Sequence, residues 1–260
     1  MILRFFNRVT LYCLYCWEYI RHSEWNSLKH AIKLRLTGKS DAKGGVITSS
    51  MGIFKTRPYS LDFQYINYAY EIQIKRFIEL QDFTHFLDIG ACLGEYSIWL
   101  GKKGKQCLAF EPVSASFNMI EQNIKLNNME QWVKAYNHGL GREQAFEHFK
   151  LNEKNPGANH RVNRPEKNTE CIKLYSLDEK LSEIGILPEY KILMKIDVEG
   201  MELEVLEGAN DFITNARHLI MIIEEVLSDG NSIRKKLSEM ADFEFGKIDK
   251  YNIYARKILQ

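Results

Sequence analysis

The fold of this protein is decided by residues 86–97, FLDIGACLGEYS, where a short apolar run ends in an acidic residue and two glycines. The apolar pattern predicts a strand over residues 84–89 and then a helix, with a tight loop between them. Gly90 and Gly94 let the loop backbone pass close to a ligand, and Asp88 places a carboxylate beneath it. The stretch therefore predicts a ligand site that suits a positively charged group.

Outward from this loop, short apolar runs alternate with stretches of helical periodicity. This alternation implies a parallel sheet that is covered by helices on both faces. The last two apolar runs, residues 243–248 and 253–257, are separated only by a polar break and predict an antiparallel hairpin. The predicted fold class is therefore α/β with a mostly parallel sheet. The other predicted strands cover residues 106–110, 132–137, 191–196 and 218–224, and the predicted helices cover residues 95–103, 114–127, 202–210 and 232–240.

A second acidic residue stands at the end of the second predicted strand, where Glu111 precedes Pro112. In an open parallel sheet, ligands bind outside the carboxyl ends of the strands, and a carboxylate at this position grips the hydroxyls of a ribose. A dinucleotide fingerprint would need G-x-G-x-x-G against a pyrophosphate, and this loop lacks it. The two motifs together predict a pocket for a nucleoside joined to an amino-acid moiety. A nicotinamide-dependent sugar enzyme of the Rossmann type is the disfavoured alternative.

Three segments of the chain carry a resemblance to one known family. They are residues 86–94, residues 109–112 and residues 195–200, KIDVEG, the last followed by Glu202, Leu206, Gly208 and Ala209. These segments resemble the FkbM family of S-adenosylmethionine-dependent methyltransferases, and the resemblance extends over residues 83–226. It implies the class I methyltransferase fold, a Rossmann-like and mostly parallel seven-stranded sheet with an antiparallel last strand.

The same resemblance implies S-adenosylmethionine as the cofactor and assigns its contacts. Gly90 and the neighbouring backbone would meet the methionine part of the cofactor, and Glu111 would bind its ribose. Asn137 and His138, after the third strand, would lie near its adenine. The full set of expected cofactor-binding residues is Asp88, Gly90, Ala91, Gly94, Tyr96, Glu111, Pro112, Asn137 and His138.

Methyl transfer to an oxygen requires an aligned acceptor and the removal of a proton. Asp197, at the end of the fourth strand, is the expected general base or acceptor-orienting group. Glu199 is expected beside it, on the same side of the chain by the strand period of two. In the structural alternative, Asp197 caps the helix that begins near Met201, and Glu199 pairs with Lys195.

Asp197 also admits a metal-binding alternative. It would join Glu224 or Glu225, at the end of the fifth strand, and bind a divalent ion as paired oxygen ligands do. Nothing in the spacing of these residues demands a metal, so a metal site is not the expectation.

The acceptor is expected to be a hydroxyl, because members of the resembled family act on hydroxyls of surface polysaccharides and of secondary metabolites. The expected activity is O-methylation of a sugar in a surface polysaccharide or glycolipid intermediate. O-methylation of a secondary metabolite is one alternative, and a non-catalytic, membrane-docked scaffold that keeps the fold is another. A polar insertion, residues 152–169, is predicted to be a lid or binding loop, with His160 in it solvated.

The net charge is +1, from 35 Lys and Arg against 34 Asp and Glu, which gives no basic excess for tracking nucleic acid. Residues 1–39 nevertheless carry seven basic and two acidic side chains. Helical periodicity over residues 2–20 and 25–36 gathers apolar side chains on one face. Residues 1–36 are therefore predicted to contact an anionic membrane surface, or else to pack on their own domain or on a second copy in a homo-oligomer.

The sequence divides into three predicted parts. Residues 1–45 form a basic helical extension and linker, residues 46–82 a helical lead-in, and residues 83–260 the methyltransferase domain. The five cysteines, an odd number without regular spacing, favour a reducing compartment. No secretory segment is predicted, because Glu18 interrupts the first apolar run at about half the length of a membrane span. The expected location is cytoplasmic, with peripheral contact at the inner face of the membrane as an option.

Overall fold

The computed structural model describes residues 2–258, with side chains from residue 10 onward, and its centre is a seven-stranded sheet. Five neighbouring strands are parallel, and β13, the last strand of the chain, runs antiparallel to both of its neighbours. The predicted α/β class and the reversed last strand are confirmed. In spatial order the strands, numbered along the chain, are β12 (Phe243–Lys247), β13 (Asn252–Lys257), β11 (His218–Glu224), β10 (Lys191–Ile196), β3 (His85–Ile89), β4 (Gln106–Phe110) and β5 (Val133–Tyr136).

Successive side chains of the central strands enter two different hydrophobic cores. On β3, Phe86 belongs to one core and Leu87 to the other, and on β10 the same holds for Leu193 and Met194. Burial on both faces is why these strands are almost continuously apolar. The first core is covered by α5 (Glu95–Gly101), α6 (Ser114–Asn127) and the N-terminal elements, and the second by α7 (Leu177–Ile184), α8 (Glu202–Glu207), α9 (Asn210–Asn215) and α10 (Gly230–Met240).

The segment predicted as a helical lead-in, residues 46–82, begins instead with a β-hairpin. Its strands are β1 (Gly45–Ser49) and β2 (Gly52–Thr56), and two short helices follow, α3 (Asp62–Tyr65) and α4 (Ile72–Glu79). The chain turns between these helices at Asn67, whose Oδ1 accepts a hydrogen bond from the Ala69 amide at 2.9 Å. Such a local side-chain bond competes with helix propagation.

The N-terminal helices, α1 (Ile2–Arg21) and α2 (Trp25–Thr37), form a hairpin that packs on its own domain. Tyr19 is buried in the first core. Glu18 accepts a hydrogen bond from the Ser50 amide at 2.6 Å, and Glu24 accepts one from the Thr48 amide at 2.7 Å. The predicted alternative of packing on the same domain therefore holds for the inward side of the helical hairpin.

A second sheet forms between β5 and β10, and it was not predicted. Its two longer strands are half-exposed, so their alternating polar residues give a weak apolar pattern. The predicted insertion, residues 152–169, contributes the strand β8 and a short 3-10 turn, Pro156–Ala158. In spatial order the strands are β6 (Gly139–Leu140), β9 (Thr169–Tyr175), β7 (Ala145–Lys150) and β8 (His160–Val162).

Candidate active site

A cavity lies at the carboxyl ends of β3, β4, β10 and β11. The ends of these four strands supply Asp88, Glu111, Asp197 and Glu224 to its lining. Parallel strands end at the same edge of a sheet, which is why acids far apart in sequence meet here. Among the lining residues that the structure describes, seven carry a carboxyl group and only Lys195 has a cationic side chain. The cavity is therefore strongly acidic.

The glycine loop is held against the end of β10. A Cβ atom on Gly90 would lie 1.9 Å from the carbonyl oxygen of Asp197, and the φ of Gly90 is +86°. Only glycine tolerates both conditions. The Asp197 amide donates to the carbonyl oxygen of Ile89 at 3.0 Å, so the ends of β3 and β10 are joined at this point.

Glu111 is held in a fixed orientation at the end of β4. Its Oε2 accepts a hydrogen bond from the Cys92 amide at 2.9 Å, and its Oε1 accepts one from the Val113 amide at 2.9 Å. Burial raises the pKa of Glu111 to about 7, despite these two bonds. Each carboxylate oxygen can accept a further hydrogen bond, so the group remains available to a ligand.

Lys195, which is buried, and Asp197, which is half-buried, form an ion pair at the end of β10. Lys195 Nζ donates to Asp197 Oδ2 at 2.6 Å. Burial alone would lower the pKa of Lys195, but the charges of Asp197, Glu71 and Asp88 raise it well above its usual value. The lysine is therefore a permanent cation beside Asp197. This pairing corrects the structural alternative, which had joined Lys195 to Glu199.

Two further carboxyl groups stand beside Asp197. One carboxyl oxygen each from Asp197, Glu199 and Glu224 lies within 4.8 Å of the other two. Burial and the charge of Asp197 raise the pKa of Glu224 to about 8 and the pKa of Glu199 to about 7. Carboxyl groups with such pKa values carry a proton for much of the time near neutral pH and can donate hydrogen bonds.

Glu202 fixes the loop that carries this carboxyl cluster. It is buried, its Oε1 accepts hydrogen bonds from the Val198 amide at 3.3 Å and the Gly200 amide at 3.1 Å, and its other oxygen contacts Ser228. The predicted strand alternation is wrong here, because the strand ends at Ile196 and Glu199 reaches Asp197 through a turn in which the φ of Glu199 is +51°. Asp197 does not cap α8, whose N-cap residue is Met201.

The metal-binding alternative fits the cluster poorly. The carboxyl groups of Asp197, Glu199 and Glu224 are close enough to share an ion, but Lys195 already brings a positive charge into contact with Asp197, which opposes a second cation there. Of the two glutamates proposed as partners of Asp197, Glu225 points elsewhere and lies 3.4 Å from Arg234 and 3.5 Å from Lys247. The carboxyl groups of the cluster, together with Lys195, are thus better suited to hydrogen bonding with a hydroxyl than to coordination of a divalent ion.

Comparison with known proteins identifies the domain around this cavity. The profile of the methyltransferase FkbM domain matches residues 88–250, which include both the glycine loop and the Lys195–Asp197 pair. The chain belongs to the FkbM methyltransferase family. It is an enzyme of the methyltransferase class with a Rossmann-like fold.

Individual relatives agree with this assignment. Methyltransferase 1 of Beauveria bassiana is 27% identical over 189 residues, which cover 64% of this chain and 74% of the relative. Methyltransferase sdnD of Sordaria araneosa is 30% identical over 155 residues, covering 48% of this chain and 60% of the relative. The crystal structure of an FkbM methyltransferase from Methylobacillus flagellatus has a TM-score of 0.50 and 16% identity, and shares the fold. The match covers 75% of this chain and about half, 53%, of that one.

Three residues predicted to bind the cofactor of this methyltransferase lie outside the cavity lining. Gly94 packs against Ile120, beneath the loop. Asn137 donates hydrogen bonds to the carbonyl oxygens of Glu111 and Pro112 at 3.1 and 3.2 Å, and so braces the end of β4. His138 lies among aromatic rings, and burial lowers its pKa to about 4. The predicted residues that do line the cavity are Asp88, Gly90, Ala91, Tyr96, Glu111, Pro112, Asp197 and Glu199.

Sequence reasoning missed several lining residues of the methyltransferase. Tyr65, Tyr70 and Glu71 come from the segment before the first central strand, and only tertiary contacts bring them to the cavity. Glu71 accepts a hydrogen bond from the Tyr96 hydroxyl at 2.8 Å. Glu95 also lines the cavity, and it could have been identified from the sequence because it directly follows Gly94 of the glycine loop.

The insertion contributes to the cavity as its composition predicted. Asn155, Pro156, Gly157 and Asn159 line the cavity, and the Tyr65 hydroxyl contacts the side chain of Asn155. His160 is exposed and does not line it. The loop thus forms one wall opposite the strand ends.

Proposed function

We propose that this methyltransferase uses S-adenosylmethionine and methylates a hydroxyl of a sugar in a surface polysaccharide or glycolipid intermediate. The observation that carries the proposal is the Lys195–Asp197 ion pair, with Glu199 and Glu224 beside it, in a cavity rich in carboxyl groups. S-adenosylmethionine supplies a methyl group on a positively charged sulfur. The chain's own residues would bind that cation, orient the acceptor and take up its proton.

The charge of the cavity supports a cationic cofactor. Asp88 and Glu95 stand beneath and beside the glycine loop, where an ammonium group would be held. Oε2 of Glu95 is buried and has no hydrogen-bond partner among the described residues, and burial and the charge of Asp88 raise its pKa to about 8. A buried acceptor without a partner is costly, so a cationic donor would be favoured there. A bound cation would favour the ionised form of these carboxyl groups, whereas a pyrophosphate would disfavour it, which weighs against a nicotinamide dinucleotide.

Glu111 is the proposed ribose ligand, and Glu111→Ala is expected to weaken S-adenosylmethionine binding by about 10- to 100-fold, as loss of hydrogen bonds to a charged group implies. Isothermal titration calorimetry measures this change. Glu170→Ala is the matched control, because Glu170 also accepts a bond from a backbone amide, that of Ser114, but lies outside the cavity. An unchanged affinity in Glu111→Ala would refute the ribose assignment.

The carboxyl cluster supports a hydroxyl acceptor. Asp197 would accept the proton of the attacking hydroxyl, with Lys195 stabilising its charge until then. Protonated Glu199 and Glu224 would donate hydrogen bonds to neighbouring hydroxyl oxygens. A sugar offers several adjacent hydroxyls to such a cluster, and the rings of Tyr65 and Tyr70 offer an amphipathic wall beside it.

A secondary-metabolite hydroxyl is the second candidate acceptor. Phe149, Leu174 and Met201 form an apolar cluster that also lines the cavity. This wall would suit an apolar acceptor. In either case the proposed location is cytoplasmic, which the five free cysteines support.

Methyl-labelled S-adenosylmethionine tests the acceptor. The purified protein is incubated with a polysaccharide fraction, a lipid-linked glycan fraction and an apolar small-molecule extract of the cells that carry it. We expect label in a glycan fraction, recovered as an O-methyl sugar after hydrolysis and mass spectrometry. Label confined to the apolar extract would replace the sugar with the second candidate. Absence of label from all three, despite tight cofactor binding, would favour the scaffold alternative.

A further inference from the structure

The outward surface of the α1–α2 hairpin is unusually apolar. Of the seventeen large hydrophobic side chains exposed in the described part of the chain, seven lie between residues 10 and 37. Trp17 is 58% exposed and Trp25 is 55% exposed, whereas Trp99 is buried and Trp132 is half-buried. We call the outward surface of the two helices the hairpin face, and its apolar members are Trp17, Ile20, Trp25, Ile32 and Leu36.

The two helices of the hairpin lie side by side and antiparallel. The guanidinium of Arg35 stands 4.9 Å from the centre of the Tyr12 ring, which brings the end of α2 beside the middle of α1. Trp17 and Ile20 lie on one side of α1, and Ile32 and Leu36 on one side of α2, at the spacing of a helical face. The exposed apolar side chains therefore form stripes along both helices.

Acidic and basic side chains lie on different sides of the α1–α2 hairpin. Its two acids, Glu18 and Glu24, point inward and accept hydrogen bonds from the backbone of the β1–β2 hairpin. The basic side chains that the structure describes between residues 10 and 39 are exposed, and they are Arg21, Lys29, Lys33, Arg35 and Lys39. Lys33 is paired with Asp41, and the remaining cations surround an apolar, aromatic surface.

We propose that the hairpin face docks on an anionic lipid bilayer, lying in the plane of the interface. Aromatic side chains suit the headgroup region, aliphatic ones the acyl boundary, and basic ones the lipid phosphates. No helix among residues 2–258 has the length and apolarity to cross a bilayer. A second copy of the chain is the poorer partner, because a symmetric contact would bring two basic faces together. The proposal is independent of which acceptor is methylated.

Vesicle binding of the full chain tests this proposal. Vesicles of phosphatidylcholine with phosphatidylserine are compared with vesicles of phosphatidylcholine alone, by co-sedimentation and by tryptophan fluorescence. We expect binding only to the anionic vesicles, with a blue shift from Trp17 and Trp25, and loss of binding at high salt. Failure to bind anionic vesicles, or equal binding to both kinds, overturns the proposal.

Point variants, rather than a truncation, locate the contact, because removing the hairpin would also remove buried Tyr19 from the core. Lys29→Glu with Lys39→Glu is expected to lower partitioning by about fivefold or more per basic residue. Lys102→Glu with Lys235→Glu, on exposed sites elsewhere, is the charge-matched control. Equal losses in the two variants would contradict docking through the hairpin face.

A second pair of variants tests the apolar contact. Trp25→Ser with Leu36→Ser is expected to abolish most of the vesicle binding, whereas the control Leu80→Ser with Leu187→Ser, also exposed, should retain it. Sedimentation velocity of the same proteins without lipid completes the test. A dimer that dissociates in Trp25→Ser with Leu36→Ser would overturn the proposal in favour of self-association.

Discussion

Asp197→Asn is expected to lower kcat for methyl transfer by about 10²- to 10⁴-fold, the usual contribution of a positioned proton acceptor. Asparagine has nearly the same shape and keeps an oxygen that Lys195 Nζ can donate to, so the loop should hold its conformation. It cannot accept the proton of the hydroxyl. The affinity for S-adenosylmethionine should therefore change little while turnover is lost.

The control for this variant is Glu225→Gln. Glu225 follows Glu224 directly, yet its carboxylate lies by Arg234 and Lys247 rather than in the cavity. Its turnover should equal that of the unmodified protein. Circular dichroism and calorimetry on both variants separate loss of chemistry from loss of folding. Full turnover in Asp197→Asn would show that Asp197 is not the base.

Gly90→Ala is expected to destabilise the protein by about 2–5 kcal/mol, from the left-handed φ and from overpacking. The added Cβ would lie 1.9 Å from the carbonyl oxygen of Asp197, which is backbone and cannot rotate away. The ends of β3 and β10 would have to separate, and the Lys195–Asp197 pair would move with them. Urea unfolding measures the stability, and cofactor binding should be lost with it.

Gly104→Ala isolates the cost of backbone conformation alone. Gly104 has a φ of +78°, close to that of Gly90, but nothing lies within 4 Å of its added Cβ. A loss of about 1–2 kcal/mol is expected there. If the two variants lost equal stability, the close approach of Gly90 to β10 would contribute nothing.

The central sheet was predictable because its strands are buried on both faces. The predicted bounds of β4, β10 and β11 equal the observed ones, Gln106–Phe110, Lys191–Ile196 and His218–Glu224. Continuous apolar runs between polar loops define such strands sharply. The β1–β2 hairpin and the second sheet were not predicted, because half-exposed strands mix polar and apolar residues. A single predicted helix over residues 202–210 is in fact two, α8 and α9, divided where Gly208 closely approaches Gly141.

The carboxylates of the site were predictable for a related reason. Once the strands are known to be parallel, Asp88, Glu111 and Asp197 must lie along one edge. The ion-pair and hydrogen-bond partners of these residues were harder to predict from the sequence. The structural alternative paired Lys195 with Glu199. In the structure Lys195 pairs with Asp197 instead, because Glu202 holds the turn that carries Glu199 in place. Which residues approach from outside the sheet depends on contacts distant in sequence, and local pattern carries no information about them.

The match to the family domain begins at residue 88, whereas Tyr65, Tyr70 and Glu71 precede it and still form a wall of the cavity. Replacing this leading segment with that of a relative would change the shape and charge of that wall. The residues of the glycine loop, Lys195 and Asp197 would be unchanged. The leading segment thus shapes part of the cavity without supplying the glycine loop or the Lys195–Asp197 pair. The leading segment is accordingly the region to recombine between relatives when a new acceptor is sought.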